Sequence, residues 1–121
     1  MEWKNLDTLT SFEELSKVAE VDLTKVMSGE NGAERVKKYS TPMAEGLAYN
    51  YAAKQVDDKL LEDLQKLADE AQLTEKFEAL YNGEVINTGE KRMVLHHLTR
   101  GQLGEAVNAD GTDKRAFYKE Q

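Results

Sequence analysis

The chain has no cysteine and a single proline, Pro42, among its 121 residues. Without thiols it can form neither a disulfide framework nor a thiolate metal site, which fits a reducing compartment. No apolar run reaches the roughly 18 residues that a membrane-crossing helix needs. The opening Met1-Glu2-Trp3-Lys4-Asn5 has none of the apolar core of a secretory leader, so the expectation is a cytoplasmic protein. Aromatic residues are scarce, 3 Phe, 5 Tyr and 1 Trp, which leaves any core mainly aliphatic. Basic residues are outnumbered, 16 against 23 acidic ones, for a net charge of −7. A surface of that sign repels phosphate backbones and anionic lipid, so neither nucleic acid nor membrane is expected as a partner.

What is present reads as a folded domain. Hydrophobic residues make up 40% and charged residues 32% of the chain, which is not the composition of a disordered segment. A chain of this length forms one domain and buries roughly two thirds of its unfolded surface. Ser11 and Glu14 have capping-box spacing ahead of Phe12, Leu15, Val18 and Ala19, which fall on one helical face. Asp22 is placed to cap a short helix through Met27, and Gly29 to end it. A further turn of helix is expected within 31–38, and a chain turn between Tyr39 and Met43, around Pro42. Leu47 to Ala52 alternates with period two and predicts a strand.

The firmest helix runs from Asp57 to Ala71. Leu60, Leu61, Leu64, Leu67, Ala68 and Ala71 form its stripe, while Lys59, Glu62, Asp63, Lys66, Asp69 and Glu70 point to solvent. Thr74 opens another helix that Asn82-Gly83 terminates. Val85-Ile86-Asn87 is an extended piece, Glu90 to Thr99 a short helix ended by Gly101, and Asp110-Gly111 a tight turn. Asp113 caps a last helix. The fold class is mainly α with a few short strands, α+β, in one domain over residues 1–121.

Chemistry-bearing residues gather in one segment. His96 and His97 are the only histidines, and neighbours on a helix project about 100° apart, so a shared metal ion is not expected. No metal and no cofactor is predicted. Arg92 and Arg100 would lie two turns apart on one helix face, where they tie loops to carbonyls or to Glu84 and Glu90 in preference to anchoring a phosphate. Asn87 is placed to cap the helix that follows it, in preference to contacting a substrate directly, and Tyr49 and Tyr51 are half-buried strand residues.

The order of that segment is itself informative. Gly83, Glu84, Ile86, Asn87, Glu90, Arg92, Val94, Leu95, His96 and Arg100 match a G-E-x-I-N…E-x-R-x-V-L-H-x-x-x-R pattern. In this the chain resembles the N-terminal part of glucose-6-phosphate isomerases, with the basic-aromatic stretch Arg35 to Ser40 upstream and the Asp110-Gly111 turn downstream in corresponding order. Gly89, Leu98-Thr99 and Gly101-Gln102-Leu103 depart from the family pattern. The resemblance covers roughly residues 30 to 121. It implies the N-terminal helical segment of a larger α/β sugar-phosphate isomerase, truncated after Gln121. The parent would be a metal-free, cytoplasmic homodimer of glycolysis and gluconeogenesis that interconverts glucose 6-phosphate and fructose 6-phosphate through an enediol. The partners of this segment would then be the remaining sugar-phosphate domains. No catalytic residue of the family falls on this chain, and the matched residues Gly83, Glu84, Ile86, Asn87, Glu90, Arg92, Leu95, His96 and Arg100 are read as structural, the resemblance implying a packed His96 that donates to a backbone carbonyl and a more exposed His97. Two rivals are an independent helical protein-binding module without activity and a standalone isomerase using Glu90, His96 and Arg100.

Overall fold

The computed structural model describes residues 1–100 and 104–121, about 49% of the chain being helical. The strands form antiparallel pairs, in keeping with the α+β class. The chain divides into two compact units, one of residues Asn5–Leu67 and one of Met1–Lys4 with Ala68–Gln121.

In the first unit α1 (Thr10–Leu15) starts one residue before the expected capping box, with Leu9 at the N-cap position. The helix stops at Leu15 instead of running through Ala19. The Ser16 hydroxyl donates to the Glu13 carbonyl at 2.7 Å, and the amides of Lys17 and Val18 turn back to Glu14 and Leu15. Serine thus offers the backbone a local alternative to the helix. Helix α2 (Leu23–Val26) is capped by Asp22 as expected, its carboxylate accepting from the Lys25 amide at 3.0 Å. Gly29, in the left-handed region at φ 62°, opens α3 (Gly29–Lys38), a full ten-residue helix where one turn was expected.

Strands β1 (Ser40–Pro42) and β2 (Ala48–Asn50) pair antiparallel, Ser40 facing Asn50 and Pro42 facing Ala48. The turn expected around Pro42 falls instead at Ala44–Gly46, where Glu45 and Gly46 take positive φ. A two-stranded ladder always has an unpaired edge, where proline's missing N–H costs nothing. Strand β2 ends earlier than expected because the Asn50 side chain accepts from the Ala52 amide at 3.1 Å and starts a turn.

Helix α4 (Asp58–Glu70) confirms the long helix, with the Asp57 carboxylate accepting from the Leu60 amide at 2.8 Å. One residue on it corrects the predicted pattern. Asp63, placed on the solvent face by periodicity, is 2% exposed, whereas Leu64 of the stripe is 41% exposed. Both carboxylate oxygens of Asp63 lie 2.5 Å from Lys59 Nζ, and Lys66 Nζ approaches at 3.4 Å. Compensation by two lysines lets the charge leave water.

In the second unit α5 (Leu73–Tyr81) follows Gln72, itself left-handed at φ 54°. The N-terminal residues attach here: the Glu2 amide donates to Gln72 Oε1 at 2.9 Å, and Lys76 Nζ sits 5.2 Å from the centre of the Trp3 ring. Strands β3 (Val85–Asn87) and β4 (Arg92–Met93) form one hairpin, β5 (Asn108–Ala109) and β6 (Thr112–Asp113) another. Asp110 and Gly111 link the latter pair at φ 52° and 72°, the two left-handed residues that the expected tight turn requires. Asp113 caps α6 (Lys114–Lys119), accepting from the Arg115 amide at 3.0 Å.

Candidate functional site

The motif segment begins where α5 ends. The Gly83 amide donates to the Leu80 carbonyl at 3.1 Å and the Glu84 amide to the Ala79 carbonyl at 2.9 Å, the two bonds of a Schellman closure. Gly83 is required there twice over. Its φ is +76°, and a Cβ added to it would overlap the Cγ1 of Val107, itself 2% exposed.

From Glu84 the chain enters the β3–β4 hairpin, in which Val85 faces Met93 and Asn87 faces Arg92 across an irregularity at Ile86. Asn87 acts as a cap, but of a turn and not of a helix. Its Oδ1 accepts from the Glu90 amide at 3.1 Å and its Nδ2 donates to Glu90 Oε2 at 3.4 Å. Glu90 Oε2 also stands 4.0 Å from Arg92 Nη1, on a side chain 77% exposed.

The helix expected from Glu90 to Thr99 is therefore corrected. Glu90 and Lys91 lie in a turn, with Lys91 at φ 54°, and Arg92 and Met93 form β4. Helical bonding is confined to the 3-10 turn His96–Thr99. The reason is the closed turn that Asn87 makes with the Glu90 amide, which brings the chain back antiparallel to β3. Arg92 and Arg100 consequently share no helix face, and both are exposed. The stop assigned to Gly101 lies outside the described residues, as do the departures at 101–103.

The histidines exchange the roles expected of them. His96 is exposed, whereas His97 is half-buried and its Nε2 lies 3.0 Å from the Tyr81 carbonyl, with the two rings 5.0 Å apart. A carbonyl only accepts, so Nε2 carries the proton, and the buried Nδ1 has no hydrogen-bond partner. Leu98, next to His97 in the 3-10 turn, is fully buried.

Tyr81 is the centre of this arrangement. Its carbonyl, one of those left unpaired at the end of α5, receives Arg115 Nη2 at 3.1 Å as well as His97. Arg115 is 5% exposed, donates Nε–H to the Glu105 carbonyl at 2.7 Å, and lies 5.1 Å from the Tyr81 ring centre. A cation against a helix C-terminus and over a ring face is favoured by both the helix dipole and the ring quadrupole. Arg115, Tyr81 and His97 were not singled out by sequence as a group. The signals present in the sequence were a tyrosine just before Asn82-Gly83 and an arginine just after the Asp113 cap.

What this geometry can do chemically is limited. Leu95 and Ile86 are half-buried, Glu84 is exposed, and Glu90, His96 and Arg100 occupy the hairpin turn and the two ends of the 3-10 element. Among the described residues no group of three or more His, Cys, Asp or Glu is placed to hold a metal ion. Four carboxylates are held below their ordinary values by lysines, Glu2 by Lys4, Glu13 by Lys17, Asp58 by Lys38 and Asp63 by Lys59. A base that removes a proton from carbon works better with its affinity raised.

Comparison with known proteins bears on the same segment. A family model for phosphoglucose isomerase matches residues 50–120. The glucose-6-phosphate isomerase of Treponema denticola (strain ATCC 35405) is 53% identical over 98% of the chain and 23% of its own length. The enzyme of that name from Treponema pallidum (strain Nichols) is 42% identical over the whole chain and 23% of its length. That of Borreliella afzelii (strain PKo) is 40% identical over 98% of the chain and 22% of its length. The chain thus spans under a quarter of the length of the relatives it matches. With over half of its residues under the family model and with relatives at this identity along its whole length, the chain belongs to the phosphoglucose isomerase family.

Proposed function

We propose that this chain is the N-terminal, non-catalytic portion of an enzyme that interconverts glucose 6-phosphate and fructose 6-phosphate, an aldose–ketose isomerisation through an enediol. The observation that carries the non-catalytic part is how the motif's polar groups are used. Asn87 and Glu90 close a turn, while the imidazole that bonds, His97, holds the end of α5. Glu90, His96 and Arg100 are exposed at separate places along the segment, which counts against the standalone isomerase. Support for the activity of the whole protein comes from the relatives named for it.

On this reading the segment is scaffold. Its partners are the remaining sugar-phosphate domains of the same enzyme, the parent is a cytoplasmic homodimer acting in glycolysis and gluconeogenesis, and no cofactor takes part. The test is a coupled assay of fructose 6-phosphate isomerisation on the 121-residue chain beside a protein extended through the full reading frame. Turnover by the extended protein alone is expected. Turnover by the 121-residue chain would refute the non-catalytic assignment, and an inactive extended protein would refute the isomerase reading.

A further inference from the structure

The β1–β2 hairpin is at odds with its surroundings. In a chain that is 32% charged, residues 40–53 carry one charged side chain, Glu45. The hairpin's large apolar residues are open to solvent, Met43 at 61%, Leu47 at 67% and Tyr49 at 51%. Every residue of β2 is exposed. Met43 and Tyr49, with Thr41, Tyr51, Lys54, Val56 and Leu61, line a shallow, mostly apolar groove, and Leu47 stands beside Met43 across the hairpin. An isolated two-stranded hairpin is at best marginal in water and depends on being packed against something. Exposed apolar patches of this kind mark interfaces.

The base of the hairpin, by contrast, is firmly held. Tyr39 donates its hydroxyl to Asp58 Oδ1 at 3.0 Å, and Asn50 donates to the Val36 carbonyl at 2.7 Å. The Tyr51 amide continues the ladder to the Tyr39 carbonyl at 2.9 Å, and the rings of Tyr39, Tyr51 and Tyr49 follow one another at 5.6 and 5.8 Å. A fixed base under an uncovered tip is a pre-organised docking element.

We infer that the groove of Met43, Tyr49, Val56 and Leu61, with the neighbouring Leu47, is the seat of the remaining part of the same polypeptide. This rests on the reading of the chain as part of a longer isomerase. The choice of occupant follows from length and charge. More than three quarters of the relatives' length lies outside the matched portion, so an intramolecular occupant is present at high effective concentration. The groove offers a soluble ligand a single charged side chain, Lys54, to recognise.

The experiment compares methionine oxidation and carbene labelling in the 121-residue chain and in the protein extended through the full reading frame, each also assayed for isomerase turnover. In an active extended protein, labelling of Met43 and Leu47 is expected to fall about fivefold or more, the change when a side chain 61% exposed becomes buried. Leu47→Glu should lower the melting temperature of the extended protein and leave that of the 121-residue chain unchanged. An active extended protein whose Met43 and Leu47 label as strongly as in the short chain overturns the docking proposal while leaving the isomerase reading intact. Protection already present in the short chain and growing with its concentration also overturns it, in favour of a second copy. An inactive extended protein overturns the isomerase reading, and the proposal with it.

Discussion

Replacing Arg35 should unfasten the unit of residues 5–67 more than any single change in its apolar core. Arg35 is buried, at 8% exposure, and its Nε and Nη2 donate to backbone carbonyls. Nε donates to Ala52 at 2.8 Å, and Nη2 donates to Val56 at 2.6 Å and to Lys54 at 3.2 Å. The Tyr39 ring lies 4.5 Å from Cζ. In this way α3 grips the irregular stretch that follows β2, whose carbonyls have no ladder partner of their own. Hydrogen bonds from a charged donor contribute about 1.5–3 kcal/mol each, so the two short ones are worth roughly 3–6 kcal/mol before relaxation. Water can recover part of this at the exposed Lys54 and half-buried Val56, which brings the expected loss to about 3 kcal/mol.

Arg35→Met, which keeps the apolar stem, isolates that contribution from packing. Arg35→Lys should lose about 2 kcal/mol, because one ammonium cannot reproduce the fork that serves carbonyls four residues apart in sequence, Ala52 and Val56. Urea unfolding monitored by far-ultraviolet circular dichroism measures both, provided the slope with denaturant stays constant. A change within about 0.5 kcal/mol for Arg35→Met, the range of an ordinary surface substitution, would refute the account of the carbonyl clamp.

Gly83→Ala is expected to cost about 2–4 kcal/mol, since it combines a left-handed backbone with overlap against Val107, whereas Gly111→Ala, at similar φ but in open space, should cost about 1 kcal/mol. Equal losses in thermal unfolding would show that Val107 yields freely. Hydrogen bonding from Lys59 holds the Asp63 carboxyl below its ordinary value. Its contribution to stability is therefore complete above the unfolded carboxylate range near about pH 4 and lost as pH falls through the depressed folded value. Asp63→Asn should flatten the acid limb of a stability-against-pH curve, and an unchanged limb would discount the lysine pair. Burial, and then the neighbouring Asp58 carboxylate, raises the Tyr39 phenol above its ordinary 10.0. The associated stability is whole below the unfolded value and lost as pH rises through the folded one, so ultraviolet titration should lose its last phenol step in Tyr39→Phe.

Elements with local causes were legible in the sequence. The α4 stripe, the Asp22 and Asp113 caps, the Asn82-Gly83 stop and the Asp110-Gly111 turn each depend on residues within one or two turns of one another, and each stands where expected. The failures turned on what a side chain bonds to, which periodicity does not report even over three or four residues. Glu90 to Thr99 has a period compatible with helix, yet the Asn87 side chain captures the Glu90 amide and commits the chain to a hairpin. Asp63 looks like a solvent residue until two lysines enclose it. The histidine assignment rested on the motif's order, which carries no record of which ring of the 3-10 turn His96–Thr99 reaches Tyr81. As for the candidate site, the motif's order was sufficient to indicate the family. The use each residue makes of its side chain was not in that order.

Each unit also solves one problem in the same way, and the solution explains how so thin an apolar core suffices. Among the described residues the buried hydrophobic ones are Leu9, Tyr39, Ala52, Ala71, Ala79, Leu98 and Val107, three of them alanines, and such side chains exclude little water. Between them stand two buried arginines. Arg35 binds carbonyls beyond β2 and covers Tyr39, and Arg115 binds the carbonyls of Glu105 and Tyr81 and covers the Tyr81 ring. Irregular backbone buried without partners would cost about 1–3 kcal/mol per carbonyl. A guanidinium with five donors answers several such groups at once, keeps its charge at every physiological pH, and offers a flat face to an aromatic ring. A lysine lacks the flat face and the planar fork, and a glutamine lacks the charge. The closure of each unit is therefore directional and polar where a larger domain would use volume, and Arg115→Met should loosen the end of α5 as Arg35→Met loosens the loop after β2.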